Sequence, residues 1–304
     1  MRVSPRTGLG AVILLLAAAG VQADPAGVRQ EFNVAYLIAR AGTRAVTPDS
    51  NELREYVLYP YLEAARLRRD LTANGAIATF LDQHRDEPVA GALRREWLGA
   101  LGTRRDWTTY LAHYVPDAED PATLRCHALA ARIALGREQD VEHDALEQWL
   151  VDDNAPEACD PAFAWLRSRG LLTPAVIEQR ARLALAASHT TLARFLARDL
   201  PAGQAAPLLL WADLLDRPQP TFDRLLDTPG LKAEPDALLD GWTRWMRRDP
   251  EAGIARFERL LRSQDLDGAR ASPYALALGV GIALNREAGA LDYQWISHGV
   301  LLFP

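Results

Sequence analysis

Apolar residues recur along this chain at the spacing of an α-helix. Intervals of three and four residues place apolar side chains on one helical face, and two windows show them clearly: Leu93, Trp97, Ala100 and Leu101, then Trp107, Tyr110, Leu111 and Tyr114. No window alternates apolar and polar residues for long, as a half-buried strand would. The pattern predicts an all-α protein.

Short polar breaks separate the helical segments, for example at residues 102–104, 136–137 and 170–174. In the last of these, Thr173 is placed to cap a helix whose first turn starts at Pro174. Helical pieces of roughly ten to sixteen residues joined by short connections are typical of stacked antiparallel helix pairs. The sequence therefore predicts an α-solenoid, a superhelix of such pairs, with a degenerate repeat.

The first residues have the character of a secretory signal. Arg2 and Arg6 precede an apolar run, and small side chains end the segment at Ala23, as signal peptidase requires. A membrane anchor is the alternative, but the run is shorter than the ~20 apolar residues of a spanning helix. We expect a signal peptide at residues 1–23, export to the periplasm, and one superhelical domain over residues 24–304.

The net charge of the chain indicates which kinds of partner it can bind. The whole chain carries a net charge of −6. Loss of a signal with two arginines and no acidic residue makes the mature chain more acidic still. A mildly acidic chain lacks the basic field that grips nucleic acid, so nucleic acid is not an expected partner.

Two cysteines, Cys126 and Cys159, lie outside the signal segment. In an oxidising compartment paired thiols persist as a disulfide, and we expect these two to be bonded. Their separation is close to the length of one helical pair, which would place them in adjacent layers. Two buried free thiols remain the alternative; a zinc site is disfavoured because neither cysteine belongs to a CxxC pair.

Three stretches of sequence resemble one enzyme family. Residues 146–185 read LEQWLVDDNAPEACDPAFAWLRSRGLLTPAVIEQRARLAL, and residues 58–71 and 93–114 match two further blocks in the expected order. This combination resembles the long N-terminal helical domain of the soluble lytic murein transglycosylases. The resemblance implies a superhelical fold and peptidoglycan glycan strands as the partner, with cell-wall enzymes as further partners.

The same resemblance implies what the chain lacks. Members of the family cleave the bond between N-acetylmuramic acid and N-acetylglucosamine with a glutamic acid in a later lysozyme-like domain, inside a Glu-Ser motif. This sequence contains no Glu-Ser dipeptide. We therefore expect no catalytic residue and no cofactor, and residues after about Asn285, which continue the helical pattern poorly, suggest a truncated or frameshifted gene.

Three polar clusters are candidates for other kinds of site, at residues 142–147, 152–160 and 188–190. The first sets a histidine among carboxylates, but consecutive helical residues point in different directions, which favours a solvated face over a metal site. The second resembles a calcium loop but lacks its glycine and terminal glutamate, which favours a capping connector. The third has no evident acid partner for a hydrolase triad. No metal is expected.

Aromatic residues offer the remaining candidate contacts. Trp97, Trp149, Trp165 and Trp211 fall at core spacing and are expected to pack between layers. Tyr56, Tyr59 and Tyr61 surround Pro60, and three such closely spaced rings cannot all face one core, so they are candidates for stacking on sugar rings.

Packing is the competing interpretation of this turn. Pro60 favours the start of a helix, from which Tyr61, Leu62 and Ala65 would pack inward. Arginines elsewhere could hold muropeptide carboxylates. The sequence as a whole predicts a non-catalytic peptidoglycan-binding domain; a periplasmic scaffold that binds another protein is the alternative.

Overall fold

The computed structural model describes residues 25–43, 47–117 and 120–285. Within these ranges the chain forms α-helices and one short 3-10 turn, and no strand. The expected signal segment and the residues after Asn285 lie outside the described residues. The contacts divide the chain between Ala100 and Leu101 into two compact units.

The first unit holds five helices, the last of which runs across the division. They are α1 (Pro25–Arg40), α2 (Asn51–Arg54), α3 (Tyr59–Leu67), α4 (Asn74–Gln83) and α5 (Pro88–Thr103). Helix α1 packs against α2 and α3. Their shared core contains Phe32, Leu53 and Leu62, with Tyr56 and Tyr59 packed against it.

The second unit holds the remaining helices. They are α6 (Trp107–His113), α7 (Ala122–Ala134), α8 (Val141–Trp149), α9 (Asp160–Ser168), α10 (Pro174–Ala186), α11 (Thr190–Ala197), α12 (Ala202–Asp216), α13 (Pro218–Asp227), α14 (Pro235–Met246), α15 (Pro250–Ile254), α16 (Phe257–Ser263) and α17 (Gly268–Leu284); the 3-10 turn, Glu157–Cys159, precedes α9. Helix α10 packs on α11 and α12, α12 on α14, and α14 on α17. Contacts between successive and next-but-one helices are those of stacked helix pairs, and the predicted fold class is confirmed.

Local capping follows the sequence. The side chain of Thr173 accepts a hydrogen bond from the Val176 N–H at 3.4 Å, and Pro174 occupies the first turn of α10. Gly170 has φ of +70°, a left-handed conformation that favours glycine. The predicted break and helix start at this joint are both confirmed.

The expected disulfide is present. Cys126 of α7 is bonded to Cys159 in the 3-10 turn, with 4.7 Å between the two Cα atoms. Both residues are buried. The bond therefore ties the chain immediately before α9 to the middle of α7.

A close helix approach depends on Gly281 of α17. A Cβ added there would lie 2.2 Å from the backbone oxygen of Met246, at the end of α14, whereas one added at Gly279 would meet nothing within 4 Å. Glycine at position 281 lets the backbones of α14 and α17 approach more closely than any other residue would allow.

The tryptophans expected in the core are found there. Trp97, Trp149 and Trp211 are buried. Trp165 is only partly buried, and its indole N–H donates to Glu138 at 3.1 Å. A packing role is thus confirmed for three of the four, while the fourth lies at the edge of the core.

Candidate functional site

The turn at Pro60 separates its three tyrosines into different roles. Tyr56 lies against Phe32, with 5.4 Å between ring centroids. Tyr59 donates its hydroxyl hydrogen to Asp49 at 2.8 Å. The side chain of Tyr61, however, remains 37% exposed, and of the three it offers the most accessible ring.

The inward packing expected of Tyr61 is therefore wrong, although Leu62 and Ala65 are buried as expected. Helix α3 does begin at the predicted turn, with Pro60 in its first turn. Helical side chains lean toward the N-terminus of their helix. A long side chain in the first turn therefore projects past the helix end and beyond the neighbours that cover the rest of the face.

A basic groove lies beside this turn in the first unit. A cavity of about 650 Å³ is lined by one tyrosine, two alanines and three arginines: Tyr36, Ala39, Arg40, Ala65, Arg68 and Arg69. Arg68 is held by Glu96 at 2.8 Å, and Arg69 donates to the backbone oxygen of Thr43. Tyr61 precedes Ala65 by one turn on α3 and so lies on the same side of that helix.

The polar cluster on α8 is divided between two charged pairs. His143 Nε2 lies 3.3 Å from a carboxylate oxygen of Glu147, and both side chains are exposed. Asp144 instead pairs with Arg132 at 2.6 Å. Ligand atoms of His143, Asp144 and Glu147 lie within 4.8 Å of one another, but this geometry is equally that of an ordinary solvated helix face.

The connector before α9 has a structural role. The carboxylate of Asp153 accepts a hydrogen bond from the Asn154 N–H at 2.6 Å, and Asp160 occupies the first turn of α9, where a negative charge favours the helix. His189 Nδ1 lies 2.7 Å from the backbone oxygen of Asp152. Only the charge of Asp160 fits the capping interpretation, since no described side chain caps the start of α9 by a hydrogen bond. His189 contacts the connector instead of a nucleophile.

A second cavity, of about 630 Å³, lies in the second unit. Its walls come from α9, α10 and α11, from Trp149 at the end of α8 and from the connector that follows it. Arg180 of α10 lines it, although its side chain is buried to 4% exposure. The guanidinium carbon lies 4.4 Å from the ring centroid of Trp149 and 5.5 Å from that of Phe163.

Arg180 has few polar partners. One terminal nitrogen donates to the backbone oxygen of Asp153 at 3.3 Å. Within the described part of the chain, neither its Nε nor the indole nitrogen of Trp149 has a hydrogen-bond partner. Among the described residues, no carboxylate forms an ion pair with it. Burial without a counter-charge lowers the pKa of Arg180, since desolvation disfavours the charged form.

Sequence reasoning did not single out Arg180, although a signal was present. On α10 it lies three residues after Ile177 and four before Ala184, both buried. That spacing places it on the apolar face of the helix. A charged residue at a core position is unusual unless it is paired, and this could have marked the site.

Comparison with known proteins gives a consistent relationship. No family model matches the chain. A soluble lytic murein transglycosylase of Salmonella typhimurium is 32% identical to it over 152 residues, which cover 49% of this chain and 23% of that protein. The similarity therefore spans less than a quarter of the relative's length.

Solved structures extend the likeness at the level of the fold. The 70-kDa soluble lytic transglycosylase of Escherichia coli matches with a TM-score of 0.70 at 22% identity, covering 91% of this chain and 44% of that one. An inactive mutant of the lytic transglycosylase Slt from Pseudomonas aeruginosa matches with a TM-score of 0.59 at 25% identity, covering 84% of this chain and 42% of that one. The chain is thus homologous over about half of its length to the soluble lytic murein transglycosylases, and it shares the helical fold found in their solved structures.

Proposed function

We propose that this chain is a non-catalytic peptidoglycan-binding domain related to the lytic murein transglycosylases. The observation that carries the proposal is the basic groove lined by Tyr36, Arg40, Arg68 and Arg69, with the exposed ring of Tyr61 one helical turn away. Homology to enzymes that act on murein supports the choice of ligand.

The groove offers the two kinds of contact that a murein strand needs. Aromatic faces present an apolar surface on which a sugar ring stacks, and a guanidinium binds a carboxylate with two parallel hydrogen bonds. Arg40 is exposed at the groove. We infer that it and Tyr61 bear most of the contact, since Arg68 and Arg69 already have protein partners.

Co-sedimentation of the full mature protein with insoluble peptidoglycan tests this proposal. Tyr61→Ala and Arg40→Gln should each reduce the bound fraction severalfold without lowering the melting temperature. Arg85→Gln is the matched control, because Arg85 is exposed and forms its ion pair with the likewise exposed Asp82, at 3.3 Å. Equal binding by all variants, or no binding by the parent, would overturn the proposal.

The non-catalytic part of the proposal rests on the sequence. The Glu-Ser pair that the resemblance associates with catalysis is missing from all 304 residues. Incubating the protein with peptidoglycan should release no anhydro-muropeptides. Their appearance, above the level given by a heat-denatured sample, would show that this chain is itself an enzyme.

Export to the periplasm belongs to the same proposal. Arg2, Arg6 and the apolar run before Ala23 support a cleaved signal. No helix among the described residues is both long and apolar enough to cross a membrane. Amino-terminal sequencing of protein from the periplasmic fraction should give Asp24 as the first residue, and recovery of the uncleaved chain from the cytoplasm would contradict it.

A scaffold that binds another protein is the second candidate. Val34 and Leu37 are 52% and 65% exposed and lie one turn apart on α1, so they form an apolar strip suited to a partner helix. This alternative predicts a stoichiometric protein partner lost on Leu37→Ala, and no co-sedimentation with wall material.

A further inference from the structure

We propose that the cavity between α9, α10 and α11 binds the free carboxyl terminus of a short peptide, with Arg180 receiving the carboxylate. This inference concerns a different unit from the groove at Tyr61, and it holds whether or not the groove binds peptidoglycan. It rests on Arg180, on the rings around it and on the lining of the cavity.

The first argument is the missing counter-charge of Arg180. A buried arginine is normally paired with a carboxylate, because removing a charge from water is strongly unfavourable. Arg180 is 4% exposed, and among the residues that the structure describes its hydrogen-bond acceptor is the backbone oxygen of Asp153. A ligand carboxylate would supply the charge that the described residues do not.

The second argument concerns the donors that remain. The rings of Trp149 and Phe163 attract the cation through their faces, but a ring face does not replace an in-plane hydrogen-bond acceptor. Arg180 Nε–H and the Trp149 indole N–H both lack an acceptor among the residues described. An ionised carboxylate has two acceptor oxygens and no donor, which matches a site whose orphan groups are all donors.

The third argument is the character of the lining. Its apolar part consists of alanine, leucine, phenylalanine and tryptophan side chains, and its polar part, besides Arg180, of Asn154, Asp160, Arg167 and Thr191. The single acidic residue, Asp160, is outnumbered by two arginines, so the cavity keeps a positive balance. Arg167 is also 3.5 Å from Asp199, which leaves Arg180 as the cation without a carboxylate partner.

Size and rigidity complete the case. A volume of about 630 Å³ is in the range of pockets that hold small ligands, and suits a dipeptide with small side chains. The Cys126–Cys159 bond anchors the chain next to Asp160, at the start of the helix that carries Phe163. A wall fixed by a covalent bond needs little ordering when a ligand binds.

Calorimetric titration of the full mature protein with N-acetyl-alanyl-alanine tests the inference, and the C-terminal amide of the same dipeptide is the matched ligand. The acid should bind saturably, and the amide at least tenfold more weakly. Arg180→Met should abolish binding of the acid. Arg198→Gln, an exposed arginine outside the cavity lining, should bind like the parent.

A second variant guards against failure of Arg180→Met to fold. Phe195 lines the cavity and is 59% exposed. Phe195→Ala should therefore fold normally and lower the affinity for N-acetyl-alanyl-alanine severalfold. Equal affinity for acid and amide, no binding of either, or full binding by folded Arg180→Met or by Phe195→Ala would overturn the inference.

The carboxyl terminus could belong to a free peptide or to a peptide of the cell wall, and these sources share one chemistry. Competition separates them: soluble wall fragments that carry peptides should displace the dipeptide if the wall is the source, and glycan stripped of peptides should not. Failure of wall fragments to compete would point to free peptides. Loss of co-sedimentation in the Tyr61→Ala variant with unchanged dipeptide binding would separate the groove from the cavity.

Discussion

Arg66 donates to both carboxylate oxygens of Asp49, at 2.6 and 2.7 Å, and so ties the segment before α2 to α3. Tyr59 adds a third hydrogen bond to the same carboxylate. Arg66 and Tyr59 together lower the pKa of Asp49 against the opposing effect of burial. Because the Tyr59 hydroxyl is engaged there, it is the weaker candidate for contact with a ligand.

Replacing this carboxylate should destabilise the protein. Asp49→Asn should lower the free energy of unfolding by about 1–3 kcal/mol, the range for hydrogen bonds to charged groups, as measured by urea denaturation. Asp82→Asn serves as the control, since its pair with Arg85 is exposed on both sides; it should change stability by less than about 0.5 kcal/mol. Equal effects of the two changes would contradict the assigned role.

The same carboxylate contributes to acid sensitivity. Its folded-state pKa lies below the ordinary value of 3.8, so the unfolded chain takes up the proton first as the pH falls. The stabilisation is complete well above pH 3.8 and is lost as the pH falls through the folded-state pKa. Melting temperatures across this acidic range should fall less steeply for Asp49→Asn than for the parent; parallel curves would refute this account.

Gly281 and Gly279 give a matched pair of substitutions on α17. Gly281→Ala sets a Cβ against the backbone oxygen of Met246, which cannot move aside as a side-chain tip would, and should cost about 1–3 kcal/mol from overpacking. Gly279→Ala meets open space and should be neutral or stabilising by up to about 1 kcal/mol. The melting temperatures of both variants test this prediction. An unchanged melting temperature for Gly281→Ala would argue against the close approach of α14 and α17.

His127 should make the second unit sensitive to mild acid. Burial lowers its pKa below 6.5, where it lies against Trp107 and Tyr110 with ring centroids 6.1 Å away. As the pH falls below about 6.5, the unfolded chain binds a proton that the folded chain resists, so stability declines until the folded-state pKa is reached. Above about pH 6.5, His127 contributes no pH dependence to the stability.

The measurement is the free energy of unfolding between pH 7 and pH 5. His127→Gln should show a smaller decline over this interval than the parent protein. His143→Gln is the control and should behave like the parent, because the His143 side chain is exposed and lies outside the core. If the free energy of unfolding declined equally in all three proteins, the pH dependence would come from groups other than His127.

Removing the disulfide should lower stability and loosen the Arg180 cavity together. The double change Cys126→Ala and Cys159→Ala should cost about 3–4 kcal/mol by the chain-entropy account. It should also weaken dipeptide binding, since the start of α9 is no longer anchored. Unfolding of the parent with and without a reductant gives the same comparison without mutation, and equal melting temperatures would contradict it.

Much of the helical framework was predictable because local signals agree with tertiary packing. Thr173 and Pro174 mark a helix start on their own, and Trp97 falls at core spacing. Tyr61 was misjudged because periodicity gives the direction of a side chain around a helix but not whether a neighbour reaches that far. Arg180 was missed because its role depends on the groups that surround it in the folded protein. The spacing of residues along the sequence does not show whether a carboxylate lies beside it.

The bond between Cys126 and Cys159 also sets a limit on how far the chain can be drawn out under tension. The two cysteines are 33 positions apart, a stretch that would span roughly 110 Å if fully extended, and the bond keeps this stretch from extending when the protein is pulled from its ends. Helices α8 and most of α7 lie inside this interval. Under tension applied at its ends, the segment from α7 to the start of α9 would thus resist extension, whereas the other described helices are held by non-covalent contacts alone.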